Sequence, residues 1–326
     1  MAVLVTGAAG FIGSHVAEAL LARGEDVVGI DNLNGYYEVS LKEARLARLA
    51  PHKAFRFERM DISDREAVHG LADRHKFDRI VHLAAQAGVR YSLIDPYAYV
   101  QSNVMGQVVM LELARKLPDL KHFVYASSSS VYGANTELPF SVDQRVDHPN
   151  SLYAATKRAD ELIAHTYAHL YALPSTGLRF FTVYGPWGRP DMSPMIFTKA
   201  ILAGDPIRVF NHGEMWRDFT YVDDIVAGVI RALDRPPVDS GTGAPPHALY
   251  NLGNEKTEKL TDYIATLERA LGRKAVMQFE PMQAGDVPRT YADIEASRRD
   301  LGFASTTPIG IGIPKFIAWY RDYYGV

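Results

Sequence analysis

The run VLVTGAAGFIGSHVAEALLARG, which begins at Val3, limits the possible fold more than any other stretch. Gly7, Gly10 and Gly13 stand between a short apolar run at residues 1–6 and a segment of helical apolar spacing at 15–23 that Gly24 ends. Glycines in that place let the backbone turn sharply and approach a pyrophosphate, whose charge a helix N-terminus favours. The spacing is G-x-x-G-x-x-G, one residue longer than the commonest fingerprint, and three glycines alone would also serve an ordinary turn. Asp31 adds weight to the dinucleotide reading. It ends the second apolar run, 18 residues after Gly13. An acid there accepts hydrogen bonds from an adenosine ribose and repels a 2′-phosphate, which favours NAD over NADP; a plain strand-end cap is the alternative. Asp61, after the third strand, fits either a contact to the adenine amine or a turn-forming Asp.

Apolar runs at 27–30, 55–59, 79–84, 123–125 and 175–181 alternate with helical patterns at 40–49, after Ser63, after Pro96 and at 153–171. Strands separated by helices imply βαβ units and a parallel sheet. The fold class expected is α/β: a Rossmann-type doubly wound parallel sheet with a smaller, irregular C-terminal substrate lobe. The expected division is a dinucleotide-binding domain at 1–178 and a substrate-binding lobe at 179–326, with 248–253 returning to the main sheet. The Pro/Gly-rich run at 235–247 reads as an exposed loop. Charged and Gly residues break every apolar stretch before the roughly 20 residues needed to span a bilayer. No secretory signal is expected at the N-terminus. The net charge of −3 lacks the basic footprint of a nucleic-acid binder. With no cysteine, disulfides and thiolate metal sites are excluded, which suits a reducing cytoplasm. The expectation is a soluble protein with no metal and no nucleic-acid or membrane partner.

Two further stretches carry chemistry. In NSLYAATKRADEL, Tyr153 and Lys157 are four residues apart and share a helix face. An ammonium one turn along favours the phenolate, a usable base toward a substrate hydroxyl. In HFVYASSSSVYG, Ser127, Ser128, Ser129 and Ser130 close an apolar strand, at the end of a parallel sheet where ligands bind. Serines also finish strands without any such role.

The motifs TGAAGFIGSH, DNLN, HLAAQAGVR, SSSSVYG, YAATK, RFFTVYGPWGRPDM, RDFTYVDD and AGDVPRTYAD cover nearly the whole chain. Together they resemble the extended, sugar-nucleotide-modifying branch of the short-chain dehydrogenase/reductase superfamily, most nearly its UDP-glucuronate 4-epimerases. The resemblance implies tightly bound NAD, regenerated each turnover, a UDP-sugar substrate and a homodimer built through helices near 97–117 and 153–171. It implies Tyr153, Lys157 and Ser128 as the catalytic group. It sets Asn103 and Lys157 at the nicotinamide ribose. Phe11, Ile12, Asn32, Asn34, Ile62, Leu83, Ala84 and Ala85 would lie along the cofactor. Arg189 and Arg217 match diphosphate contacts; Phe197, Lys199, Val209 and Phe210 match a uridine wall; Asp286 matches a uridine contact, and Arg90 would approach the substrate. The role of Gln283, where neutral-sugar relatives often carry Arg, stays open.

Dehydratases of this branch carry Asp-Glu at the positions of Ser129 and Ser130, and the matching decarboxylases carry Glu at the second. Serine cannot act as a carboxylic acid. Oxidation at C4 therefore has no evident acid for a second reaction, which points to an epimerase. Ser129, Ser130 and Thr182 are candidates for holding a uronate carboxylate. A UDP-glucose/UDP-galactose 4-epimerase, and a non-catalytic NAD-sensing Rossmann protein, are the alternatives.

Overall fold

The computed structural model describes residues 1–238, 241, 243–283 and 285–326. Seven parallel strands form one sheet, in the order His247–Leu252, Ser175–Phe180, His122–Ser128, Phe77–His82, Ala2–Thr6, Val27–Asp31, Phe55–Arg59. Strand periodicity explains why two helical layers are needed. Val3 and Val5 point into one buried cluster and Leu4 into the other, so the strand is apolar on both faces. Helices Phe11–Ala22 and Val222–Leu233 pack together on the first side, while Gly106–Ala114 and Leu152–Tyr171 cover the second.

Three smaller strand pairs build the rest: Thr182–Tyr184 with Phe219–Tyr221, Trp216–Arg217 with Glu258–Lys259, and Pro206–Val209 with Val276–Phe279. The boundary expected at 178/179 falls inside strand Ser175–Phe180, so that cut divides a sheet strand. Helix Val222–Leu233 and strand His247–Leu252 both lie with the large sheet. In the expected loop at 235–247, residues 239, 240 and 242 lie outside the described residues; most of the others from 235 to 245 are exposed. The fourth strand lies two residues earlier than expected, at Phe77–His82. The helix after Pro96 carries a π-helical segment, Val100–Met105, between Pro96–Tyr99 and Gly106–Ala114. Such a widened turn redirects the side chains it carries, here Asn103.

Candidate active site

The strand order reverses about Ala2–Thr6, which is flanked by Val27–Asp31 on one side and Phe77–His82 on the other. A crevice opens at the C-terminal ends of parallel strands at such a point. It is here a cleft of about 950 Å³. The glycine turn lines it. Gly7 has φ 71°, and a Cβ on Gly13 would lie 2.0 Å from the Gly7 carbonyl oxygen, so neither position tolerates a side chain. Helix Phe11–Ala22 starts at Gly10 with no side-chain cap, leaving its first N–H groups for an anion. These features fit a dinucleotide pyrophosphate.

Phe11, Ile12, Asp31, Asn32, Asn34, Ile62, Leu83, Ala84 and Ala85 also line the cleft. Asp31 accepts from the Leu33 N–H at 2.9 Å and the Ala9 N–H at 3.2 Å, which ties it to the glycine turn. Two expected cofactor residues lie behind the lining instead. Asp61 accepts from Asn32 Nδ2 (2.8 Å) and from the Ser63 N–H and hydroxyl (2.8 and 2.7 Å). Burial raises its pKa, but those bonds outweigh it and hold the carboxyl below its ordinary value. The turn-forming alternative describes its geometry. Asn103 is buried, accepting from the Gln86 N–H at 2.8 Å and donating to Thr156 Oγ1 at 3.0 Å. It braces the 83–87 segment against the helix that bears Tyr153.

That helix, Leu152–Tyr171, is capped by Ser151, whose Oγ accepts from the Ala154 N–H at 3.1 Å. Tyr153 and Lys157 both face the cleft. Lys157 Nζ donates to the Ala126 carbonyl at 2.9 Å and to Asp160 Oδ2 at 3.0 Å. Burial pushes the Asp160 carboxyl up to about 6, against the pull of Lys157. The four serines divide. Ser127 lines the cleft, but its hydroxyl is committed to Glu161 at 2.6 Å, within a buried group that includes Arg179. Ser128 caps the short helix Ser129–Tyr132, its Oγ accepting from the Ser130 N–H at 3.1 Å. Ser128, Ser129, Ser130 and Thr182 share the lining with Tyr153. A phenol, an ammonium and several neutral hydroxyls can move one proton and orient an oxygen; the carboxylate beside this strand end, Glu161, is buried and held by Ser127 and Arg179.

The far end of the cleft is cationic. Arg90, Arg217, Phe210 and Asp286 line it, with Phe197 also in the lining, while Arg189 lines the cleft beside Tyr36 and within reach of Tyr153. Burial holds the Arg217 guanidinium below its ordinary value, opposed by Asp286 and reinforced by Arg90, so this cluster favours an incoming anion. Arg90 lies 3.7 Å from Asp286 and stacks over Phe210 at 5.1 Å. Arg189 is bonded to Asp191, which also accepts from the Tyr36 hydroxyl at 3.1 Å. Lys199 and Val209 do not line the cleft. Helix Ser193–Ala203 turns Ile196, Phe197 and Ala200 inward and leaves Lys199 exposed. Val209 points into the core, and Pro206, Ile207 and Arg208 are the lining residues of that strand. Gln283 is also outside the lining, its buried Oε1 without a partner among the described residues. Sequence reasoning missed Tyr36, Tyr37, Lys42, Gln86 and Asp191, which do line the cleft. The signal for the first three was the NGYYEVSLKEAR run that begins at Asn34, three residues after Asp31.

Residues 3–253 match the NAD dependent epimerase/dehydratase family. UDP-glucuronate 4-epimerase 4 of Arabidopsis thaliana is 50% identical over 331 residues, which cover 99% of this chain and 76% of the relative. The crystal structure of UDP-glucuronic acid 4-epimerase from Bacillus cereus, in complex with UDP-glucuronic acid and NAD, superposes with TM-score 0.90 at 34% identity, covering 99% of this chain and 100% of that one. UDP-glucose 4-epimerase of Thermotoga maritima, solved with UDP-glucose, gives TM-score 0.88 at 29% identity, covering 99% and 100%. The glycine turn, the reversal of strand order beside it and these matches along almost the full length make the chain a member of the NAD dependent epimerase/dehydratase family.

Proposed function

We propose that this protein interconverts UDP-glucuronate and UDP-galacturonate by NAD-dependent epimerisation at C4. The observation that carries the reading is the group of neutral hydroxyls, Ser128, Ser129, Ser130 and Thr182, set with Tyr153 in one cleft whose other end is cationic. Support comes from the uronate epimerases among its relatives. Gly7, Gly10, Gly13 and Asp31 would hold NAD, which when bound supplies a hydride acceptor that gives the hydride back within the same turnover. Tyr153 takes the proton of the sugar O4, with the Lys157 ammonium favouring the phenolate. Ser128 donates a hydrogen bond to the same oxygen. The guanidinium groups of Arg189 and Arg217 hold the diphosphate while the 4-keto sugar turns about it, and Tyr153 then returns the proton.

The 4-keto uronate is a β-keto acid, and it loses CO₂ most easily when the breaking bond aligns with the carbonyl π system. Ser129, Ser130 and Thr182 hold the carboxylate out of that alignment. Bonds from hydroxyls to a charged acceptor contribute roughly 1.5–3 kcal/mol each. The experiment compares UDP-glucuronate with UDP-glucose and measures released UDP-pentose. Strong preference for the uronate with little pentose is expected, and Ser130→Ala or Thr182→Ala should raise the pentose fraction or the uronate KM. Equal turnover of UDP-glucose would favour the neutral-hexose reading and reduce the serines to strand enders.

Leu93, Ile94 and Tyr97 are exposed beside the helix through 96–114, and Leu162 is exposed on Leu152–Tyr171. A second copy packed on these two helices would cover them, so we propose a homodimer; light scattering that gives the 36.2 kDa monomer mass would contradict it. No described helix is long and apolar enough to cross a membrane. The cysteine-free composition supports a cytoplasmic location, and fluorescence of a tagged chain outside that compartment would refute it.

A further inference from the structure

We propose that Arg45 is a positioning residue that couples occupancy of the dinucleotide turn to the loop carrying Arg189, and so to binding of the substrate diphosphate. The inference rests on the nucleotide-sugar reading above. Arg45 lies on helix Val39–Leu49 and is fully buried, with 0% exposure. A guanidinium has five N–H donors, and all five are used. Nε and Nη2 donate to the Trp187 carbonyl at 3.0 and 2.7 Å, and Nη2 also donates to the Gly188 carbonyl at 3.0 Å. Nη1 donates to the Ala9 carbonyl at 3.0 Å and the Tyr37 hydroxyl at 2.7 Å.

Among the described residues no carboxylate pairs with it. A buried cation without a counter-charge is costly, and a helix surface would be the ordinary place for this side chain. The partners explain the exception. Ala9 belongs to the glycine turn, and Trp187 and Gly188 lead directly into Arg189. Trp187 has φ 63°, a conformation that a bulky residue rarely adopts. Arg45 holds its carbonyl, while its ring lies under Arg48 at 4.9 Å and beside Trp319 at 5.3 Å. Tyr36, next to Tyr37, fastens the same loop at a second point through Asp191. One planar fork thus spans the cofactor turn and the substrate loop. Ordering Ala9 beneath a pyrophosphate orders the carbonyls on the other side of the fork, and the effect is reciprocal between the two ligands.

The test measures NAD release from the holoenzyme with and without saturating UDP, alongside calorimetric UDP binding. Wild type is expected to release NAD about tenfold more slowly when UDP is bound, within the usual span of coupling between sites. In Arg45→Met that ratio should fall to about twofold or less, whatever happens to each affinity alone. Arg45→Lys should lose it too, since a point charge cannot span both carbonyl groups. Wild type that binds UDP without slowing NAD release would overturn the inference, as would an unchanged ratio in Arg45→Met or Arg45→Lys. If neither variant folds, Tyr37→Phe decides, because it removes one acceptor of Nη1: a reduced ratio supports the coupling and an unchanged one overturns it. Wild type that binds no UDP would overturn the nucleotide-sugar reading and this inference with it.

Discussion

Changing Tyr153 to Phe is expected to lower epimerisation by roughly 10²–10⁴-fold, the usual contribution of a positioned acid–base group. Only the phenolic oxygen is removed. The ring stays edge-on to Tyr99, with centroids 6.0 Å apart, so the local packing is kept. NAD content and UDP binding should therefore remain close to wild type, and the loss should fall on kcat rather than KM. Product formation from UDP-glucuronate, with NAD content measured on the same sample, checks both halves. Near-normal turnover would remove Tyr153 from the mechanism. No turnover in the wild type under the same conditions would favour an NAD-binding protein without catalysis.

Arg179→Met should bring the largest loss of stability. Arg179 and Glu161 are each 1% exposed and are joined by two bonds, Nε to Oε1 at 2.8 Å and Nη2 to Oε2 at 2.9 Å. The same pair holds Ser127 at the strand end and, through Arg179 Nη1 at 3.1 Å, the Tyr132 hydroxyl beyond the serines. Breaking a buried pair strands a charge and costs about 3–5 kcal/mol; Arg158, 3.0 Å from Glu161, keeps the value toward the lower end. The urea midpoint reads this directly. The double change Glu161→Leu with Arg179→Met should recover much of the loss, because the stranded Glu161 carboxylate is gone as well. A double variant as unstable as the single one would contradict the charge explanation. Burial raises the Glu161 carboxyl, but Arg179 outweighs it and the net value is depressed. The stability this group contributes is therefore present above the ordinary carboxylate range and lost as pH falls through the depressed value.

The parts of the site that were legible in the sequence are those whose chemistry sits within one or two turns of chain. The glycine turn, Asp31 and the Tyr153/Lys157 pair are local patterns, and all of them line the cleft. Which expected residues line the cleft and which lie behind it depends on tertiary facing. Lys199 and Phe197 share a helix, and only the packing of Ser193–Ala203 against the lobe decides which turns inward. Val209 and Ile207 lie on the same buried side of their strand, yet only Ile207 reaches the cleft while Val209 packs into the core, a difference that alternation does not announce. Asn103 sits in a π-helical segment that no apolar period announces. Asp61 is taken by Ser63 two residues on, a local competition that side-chain type alone did not settle. Arg45 and Lys42 are polar residues in an amphipathic pattern that reads as solvent-facing, yet both are buried.

UDP-glucuronate carrying deuterium at C4 puts the proposed chemistry to the most direct test. The mechanism predicts UDP-galacturonate that retains the deuterium at C4, formed without added cofactor and with little UDP-pentose, as read by NMR of the product in ordinary water. Product in which solvent hydrogen has replaced the label at C4 would mean deprotonation at carbon, and would contradict epimerisation through a 4-keto sugar.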